Sequence, residues 1–189
     1  MKDINILSLD LEFNQPSESI IQIGAVVGNL STGDILEELQ IEINAKETLA
    51  PFIIKLTGIS QDEVDNGETL LEGYNKLKDM FIRHDCFRNC LTWGGGDSQL
   101  LRSQLDLDDE MFLFGRRWID AKTLFVSHCF ANDIKHQSGL AKSLTRVGLA
   151  FKGSKHNAKD DALNTFIIYR RLLGALHNNY QDVRTGYIK

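Results

Sequence analysis

The chain has 189 residues, 42% of them hydrophobic and 25% charged, with a formal net charge of −5 at neutral pH. That length suits one domain with a substantial core, and the composition is ordinary for a globular chain. With that acidic balance, sequence-independent electrostatic attraction to nucleic acid is not expected, which does not exclude a nucleic-acid enzyme, because acids that hold divalent cations would be locally far less negative than the count implies.

Cys86, Cys90 and Cys129 are odd in number and show no C-x-x-C spacing, so neither a disulfide framework nor a zinc site is expected. No apolar run approaches the roughly 20 residues that span a bilayer, and Met1 leads directly into a strand without a signal-like segment. A cytoplasmic chain with free thiols is the expectation.

The first element is Ile4 to Phe13, ten residues without Gly or Pro and rich in Ile and Leu, which predicts a buried strand. Alternation puts Leu7, Leu9, Leu11 and Phe13 on one face. Ile4, Ile6, Ser8, Asp10 and Glu12 share the other. Two carboxylates thus leave an apolar strand in the same direction, and each raises the other's pKa unless a cation sits between them. Ile20 to Val27 predicts a central strand, and Leu39, Ile41 and Ile43 alternate with polar residues as in a strand with one wet face. Short turns join these three into an antiparallel meander.

Pro51 to Ile59 is short and mixed. Ser60 and Glu63 form a capping box, and Leu70, Leu71, Tyr74, Leu77, Phe81 and Ile82 carry on with helical spacing. Cys90 to Trp93 predicts a short buried strand, closed by Gly94-Gly95-Gly96, with a helix opening on Asp97. Trp118 to Phe130 predicts a helix started by Asp120, and Gly139 to Val147 another with Leu140, Leu144 and Val147 on one side. Lys152, Lys155 and Lys159 mark a basic loop, and the last helix is expected from about Ala158 to Leu173, stopping at Gly174.

At about 100° per residue, Lys159, Asp160, Asn164, Arg170 and Arg171 form one polar sector of that helix, expected to face water. Asp161 falls with Ala162, Thr165, Ile168 and Leu172 on the packed side. A buried acid needs a cation or hydrogen-bond donors. Capping its own helix accounts for Asp161 alone, and capping likewise accounts for Asp97, but not for His156 five residues before Asp161. Trp93 is more often core than a stacking platform, and His84, His128, His136 and His177 read as exposed loop histidines.

Asp10-Leu11-Glu12, then Asp97, then His156-x-x-x-x-Asp161, in this order over most of the chain, resembles the DEDDh 3′–5′ exonucleases. Pro51-Phe52, Leu56-Thr57-Gly58-Ile59 and Trp93-Gly94 are most similar to the exoribonuclease-like subgroup of small-RNA trimmers and sporulation-pathway inhibitors. The three glycines before Asp97 depart from the bulkier residues usual there. The resemblance implies an α/β, ribonuclease H-like fold, a mixed five-stranded sheet with an antiparallel meander, flanked by helices. It implies a single 3′–5′ exonuclease domain over residues 1–189, with its core from about 4 to 174. Asp10, Glu12, Asp97 and Asp161 would hold two Mg²⁺ or Mn²⁺ ions, which oxygen-only ligands independently favour. His156 would be the general base. The expected partner is the 3′ end of RNA or single-stranded DNA. Leu11 and Phe13, through their backbone, and Thr57, Gly58 and Ile59 would meet the terminal nucleotide, and the three loop lysines are candidates for phosphate contacts. Against this stand a proofreading-type DNA exonuclease, a catalytically silent interaction module on the same fold, and a generic acidic domain with accidental spacing.

Overall fold

The computed structural model describes residues 2–105, 112–115, 117–135 and 139–186, with backbone alone at 175 and 177–186. Strands β1 (Asn5–Phe13), β2 (Ile20–Asn29) and β3 (Ile35–Glu42) form the antiparallel meander. Two short strands, β4 (Leu91–Thr92) and β5 (Ile119–Asp120), extend the other edge in parallel, giving a mixed sheet of order β3-β2-β1-β4-β5. The sheet is flanked by helices on both faces, as the resemblance implied.

The two faces of β1 diverge as its alternation predicts. Leu7, Leu9 and Leu11 pack against Tyr74, Leu77 and Phe81 of α3 (Leu70–Arg83) and Leu101 of α4 (Asp97–Leu105). Ile6 lies on the opposite side with Phe166 and Tyr169 of α7 (Ala158–Gly186) and Ala121 of α5 (Ala121–Ala131). Asp10 and Glu12 therefore emerge on the α7 side.

Helix α7 lies unusually close to the strands. A Cβ on Gly24 would stand 2.0 Å from the Ala158 carbonyl carbon and the Lys159 nitrogen, and one on Gly28 would stand 2.3 Å from the Phe166 ring. Four strand residues and eight helix residues both cover about 12–13 Å, so the two glycines accept successive contacts of a helix running along β2. The Ser8 hydroxyl donates to the Ala162 carbonyl at 2.7 Å and fixes the same approach from β1.

Between β3 and β4 the chain forms α1 (Pro51–Thr57), α2 (Gln61–Asp65) and α3. The Ser60–Glu63 capping box is present, and a second box at Thr69 and Glu72 starts α3 separately. α6 (Leu140–Arg146) lies between Gly139 and Val147, which cap it.

Several expectations need correction. Ile119 and Asp120 form a strand, so the helix expected from Trp118 begins only at Ala121, with Asp120 as its cap. A two-residue strand has too few positions to show a period. Gly174 does not end the last helix, which runs on to Gly186. An interior glycine costs about 1 kcal/mol, and no proline follows to force a stop. His84 caps α3 and holds the Glu37 carboxylate at 2.6 Å, and His128 is half-buried on α5; neither is an exposed loop histidine. His136 and the side chain of His177 lie outside the described residues. Among the described residues no helix is long and apolar enough to cross a membrane.

Candidate active site

Three separate stretches deliver the acids. Asp10 and Glu12 come from β1, where the pairing with β2 slips by one residue after Glu12 and turns the strand end. Asp97 is the first residue of α4, after a glycine turn in which Gly94 and Gly96 adopt positive φ of 97° and 134°. That turn is fastened from a distance: the Gly94 amide donates to the Asp120 carboxylate at 2.9 Å. Asp120 accepts the Lys122 and Thr123 amides with the same oxygen, so one side chain caps α5 and holds the turn that carries Asp97. Asp161 comes from the first turn of α7.

Ligand atoms of Glu12, His156 and Asp161 all lie within 4.8 Å of one another. Burial, then the charges of Asp97, Asp161 and Glu12, push the Asp10 carboxyl well above the usual range. Burial, then Asp161 and Asp97, raise Glu12 to about 7. Asp97 rises to about 7 through burial and the charge of Asp120. Asp161 rises to about 6 through burial, opposed by its hydrogen bond from His156. Burial raises all four, and Asp10 and Glu12 are raised further by the charges of the other acids.

The loop before α7 is held by α7 itself. Asn164, fully buried, accepts the Lys152 amide at 2.9 Å and donates to the Lys152 carbonyl at 2.7 Å. The Asp160 carboxylate accepts the Ser154 amide at 2.7 Å and fills the space where a Gly153 Cβ would stand. The Asp161 carboxylate accepts the His156 amide at 3.2 Å. His156 itself has φ of 61°, a left-handed conformation that costs a residue with a Cβ about 1–2 kcal/mol. The helix start is tied to the sheet as well. The Ala158 amide donates to the Gln22 side chain at 2.9 Å, and Gln22 is the ladder partner of Glu12.

These contacts overturn the solvent-facing sector expected for α7. Asp160 and Asn164 organise the loop, Lys159 pairs with Glu38 at 3.5 Å, and the Arg170 guanidinium donates to the carbonyls of Leu30, Ser31 and Thr32. Of that sector Arg171 alone is exposed. The helical wheel places the sector correctly, but says nothing of the loop that folds over it.

The residues expected to meet a nucleotide fall in different surroundings. The Leu11 side chain is core, and Phe13 is half-buried at the strand end. Thr57 and Gly58 form the C-terminus of α1, with Gly58 at φ of 79° and open space beside it. Ile59 is buried with Ile21, Leu49, Ile53 and Val64. Ile21 lies between the ladder partners of Glu12 and Phe13, so this group packs at the acid-bearing end of β1.

A cavity of about 760 Å³ opens from Asp10, His156 and Asp161. It is also lined by Trp93, Phe151, Lys142 and Lys155. Sequence reasoning missed Lys142: the apolar spacing of α6 marks a helix but not where its first turn points. Trp93 is half-buried and serves as wall and core at once.

Comparison with known proteins agrees with this geometry. The exonuclease family model RNase_T matches residues 7–169. The chain is 30% identical over 176 residues to the human 3′–5′ exoribonuclease 1, a match covering 86% of this chain and 49% of that protein. It is 26% identical over 184 residues to the human ERI1 exoribonuclease 2, covering 83% of this chain and 26% of that one. The chain thus spans about half the length of one relative and a quarter of the other. Among solved structures, the nuclease domain of 3′hExo, a DEDDh family member bound to rAMP, superposes with a TM-score of 0.77 at 24% identity, covering 92% of this chain and 93% of that one. Cell-death related nuclease 4 gives 0.76 at 19%, covering 90% and 64%.

Proposed function

The chain belongs to the RNase_T exonuclease family, of the DEDDh type, and from that premise we propose that it removes nucleotides from the 3′ end of RNA or short single strands. The products are nucleoside 5′-monophosphates. The observation that carries the reading is the convergence of Glu12, His156 and Asp161 within 4.8 Å, beside Asp10 and Asp97. The curated relatives named as exoribonucleases support RNA as the substrate class.

Asp10, Glu12, Asp97 and Asp161 fit a pair of Mg²⁺ or Mn²⁺ ions: they offer hard oxygen donors only, and Asp10 and Glu12 sit in the field of the other acids. Such a pair would supply stabilisation of the attacking and leaving oxygens of an in-line phosphoryl displacement. The chain's own part is proton transfer and positioning. Water attacks phosphorus, His156 takes its proton, and the bond to the upstream 3′ oxygen breaks, that oxygen gaining a proton from solvent. Asp161 holds the base in place through the His156 amide. Leu11 and Phe13, by backbone, and Thr57, Gly58 and Ile59 would seat the terminal nucleoside at the same end of β1.

Digestion of RNA and DNA oligonucleotides, each blocked at the 3′ or the 5′ end, with and without EDTA, tests this. Activity should vanish with EDTA, with a 3′ block and in the D10N variant, and should be higher on RNA than on matched DNA. Equal degradation of 3′-blocked substrates would overturn the polarity, and activity untouched by D10N would overturn the enzyme reading.

A further inference from the structure

Glu42 is the last residue of β3, an edge strand, yet its backbone is held on both sides. It pairs with Gln22 of β2 across the ladder, and its carbonyl accepts the Glu68 amide at 2.9 Å from the segment before α3. Gly67 permits that approach, since a Cβ there would stand 2.7 Å from the Glu42 carbonyl oxygen. The Glu42 side chain is thus mounted on a fixed point where a strand end would otherwise fray. One of its oxygens accepts two side-chain amides, Gln22 Nε2 at 3.2 Å and Gln40 Nε2 at 2.9 Å. Each glutamine turns its own oxygen towards α7. Gln22 Oε1 accepts the Ala158 backbone amide at 2.9 Å, and Gln40 Oε1 accepts the Asn157 side-chain amide at 2.9 Å. Asn157 in turn caps α7 by accepting the Asp160 amide at 3.1 Å.

A carboxylate only accepts, so it draws the NH₂ end of both glutamines to itself and leaves their oxygens facing the helix. Without it, either glutamine can turn its NH₂ towards the N–H groups it now receives, donor against donor. The two branches grip the two residues that follow His156. His156 is left-handed, with φ of 61°, and such a conformation persists only where the surrounding structure holds the chain. Asn164 and Asp160 hold the chain before it, at Lys152 and Ser154. We propose that Glu42 is a positioning residue for the exonuclease reaction, fixing through Gln22 and Gln40 the placement of His156 and Asp161 against the acids of β1. The inference rests on the exonuclease reading. Glu42 touches neither substrate nor cation and acts only through this relay.

Steady-state kinetics of the full chain with Mn²⁺ on a single-stranded RNA hexanucleotide, together with hydrogen exchange at the Ala158 amide, tests this. E42A should lower kcat about tenfold while KM stays within about twofold of the parent. Exchange at Ala158 in that variant should run about fivefold faster. E42Q keeps an oxygen for both glutamines and should hold kcat within about twofold of the parent. Q40A cuts the Asn157 branch alone at an exposed position, and should lower kcat about fivefold with KM held. Parent kcat in both E42A and Q40A, or a loss in E42Q equal to that in E42A, would overturn the relay and leave the exonuclease reading standing. A parent enzyme that leaves the hexanucleotide intact would overturn that reading, and with it a role for Glu42 in turnover.

Discussion

Gly24 is the ladder partner of Asp10, and the missing side chain there lets the first turn of α7 rest on β2. The acid on β1 and the acid on α7 are neighbours because the residue between their supports has no Cβ. G24A would place a methyl group 2.0 Å from two backbone atoms of that turn, and backbone cannot rotate away. We expect a destabilisation of about 3 kcal/mol, the upper end of overpacking costs, read from urea unfolding. Nuclease activity should fall further than the decrease in folded protein accounts for.

The acid cluster sets a stability profile that depends on bound cations. Glu12 and Asp97 at about 7 and Asp161 at about 6 all lie above ordinary carboxylate values, as does Asp10. Groups raised on folding stabilise the native state fully below their unfolded pKa, near 4, and lose that contribution as pH climbs through the folded value. In EDTA, Tm should therefore fall between about pH 5 and pH 8. Mn²⁺ or Mg²⁺ at 100 times its Kd should restore about 2.7 kcal/mol at pH 8, which is roughly 5–10 °C for a chain of this size. Thermal melts across this range with and without metal provide the measurement. A flat profile in EDTA would contradict the cluster.

Replacing His156, the proposed base, should act on turnover. H156A should lower kcat by roughly 10²–10⁴. Mn²⁺ binding to the acids, followed calorimetrically, should survive in that variant.

Asn164 offers a different kind of test, because it touches neither cation nor nucleotide. N164L keeps similar volume but leaves the Lys152 amide and carbonyl without their partner in a part-buried setting. The cost should be about 2 kcal/mol, with a fall in kcat of at least about tenfold as the His156 loop loses its near end. KM should change little. Faster hydrogen exchange at the Lys152 amide would confirm the cause.

The parts of this molecule legible in the sequence are those written in a local period. The alternation of β1 places Asp10 and Glu12 on the α7 side, and the capping box at Ser60 and the turn before Asp97 lie where residue types put them. The convergence of Asp97 and Asp161 on β1 comes from resemblance in order and spacing; no local pattern encodes it. What stays hidden depends on elements meeting across many residues. β5 is too short to have a pattern, Asn164 reads as solvated until the loop at Lys152 covers it, and Lys142 reaches the cavity only through the placement of α6.

Asp120 has a consequence that reaches Asp97. Its carboxylate ties down the turn beneath the acid, yet its charge is what most opposes the acid's ionisation after burial. Accuracy of placement and readiness to shed a proton are thus set against each other by a single group. An amide at 120 would retain the oxygen that accepts Gly94, Lys122 and Thr123 while dropping the repulsion, so the native aspartate leaves Asp97 the more reluctant partner whenever no cation is near.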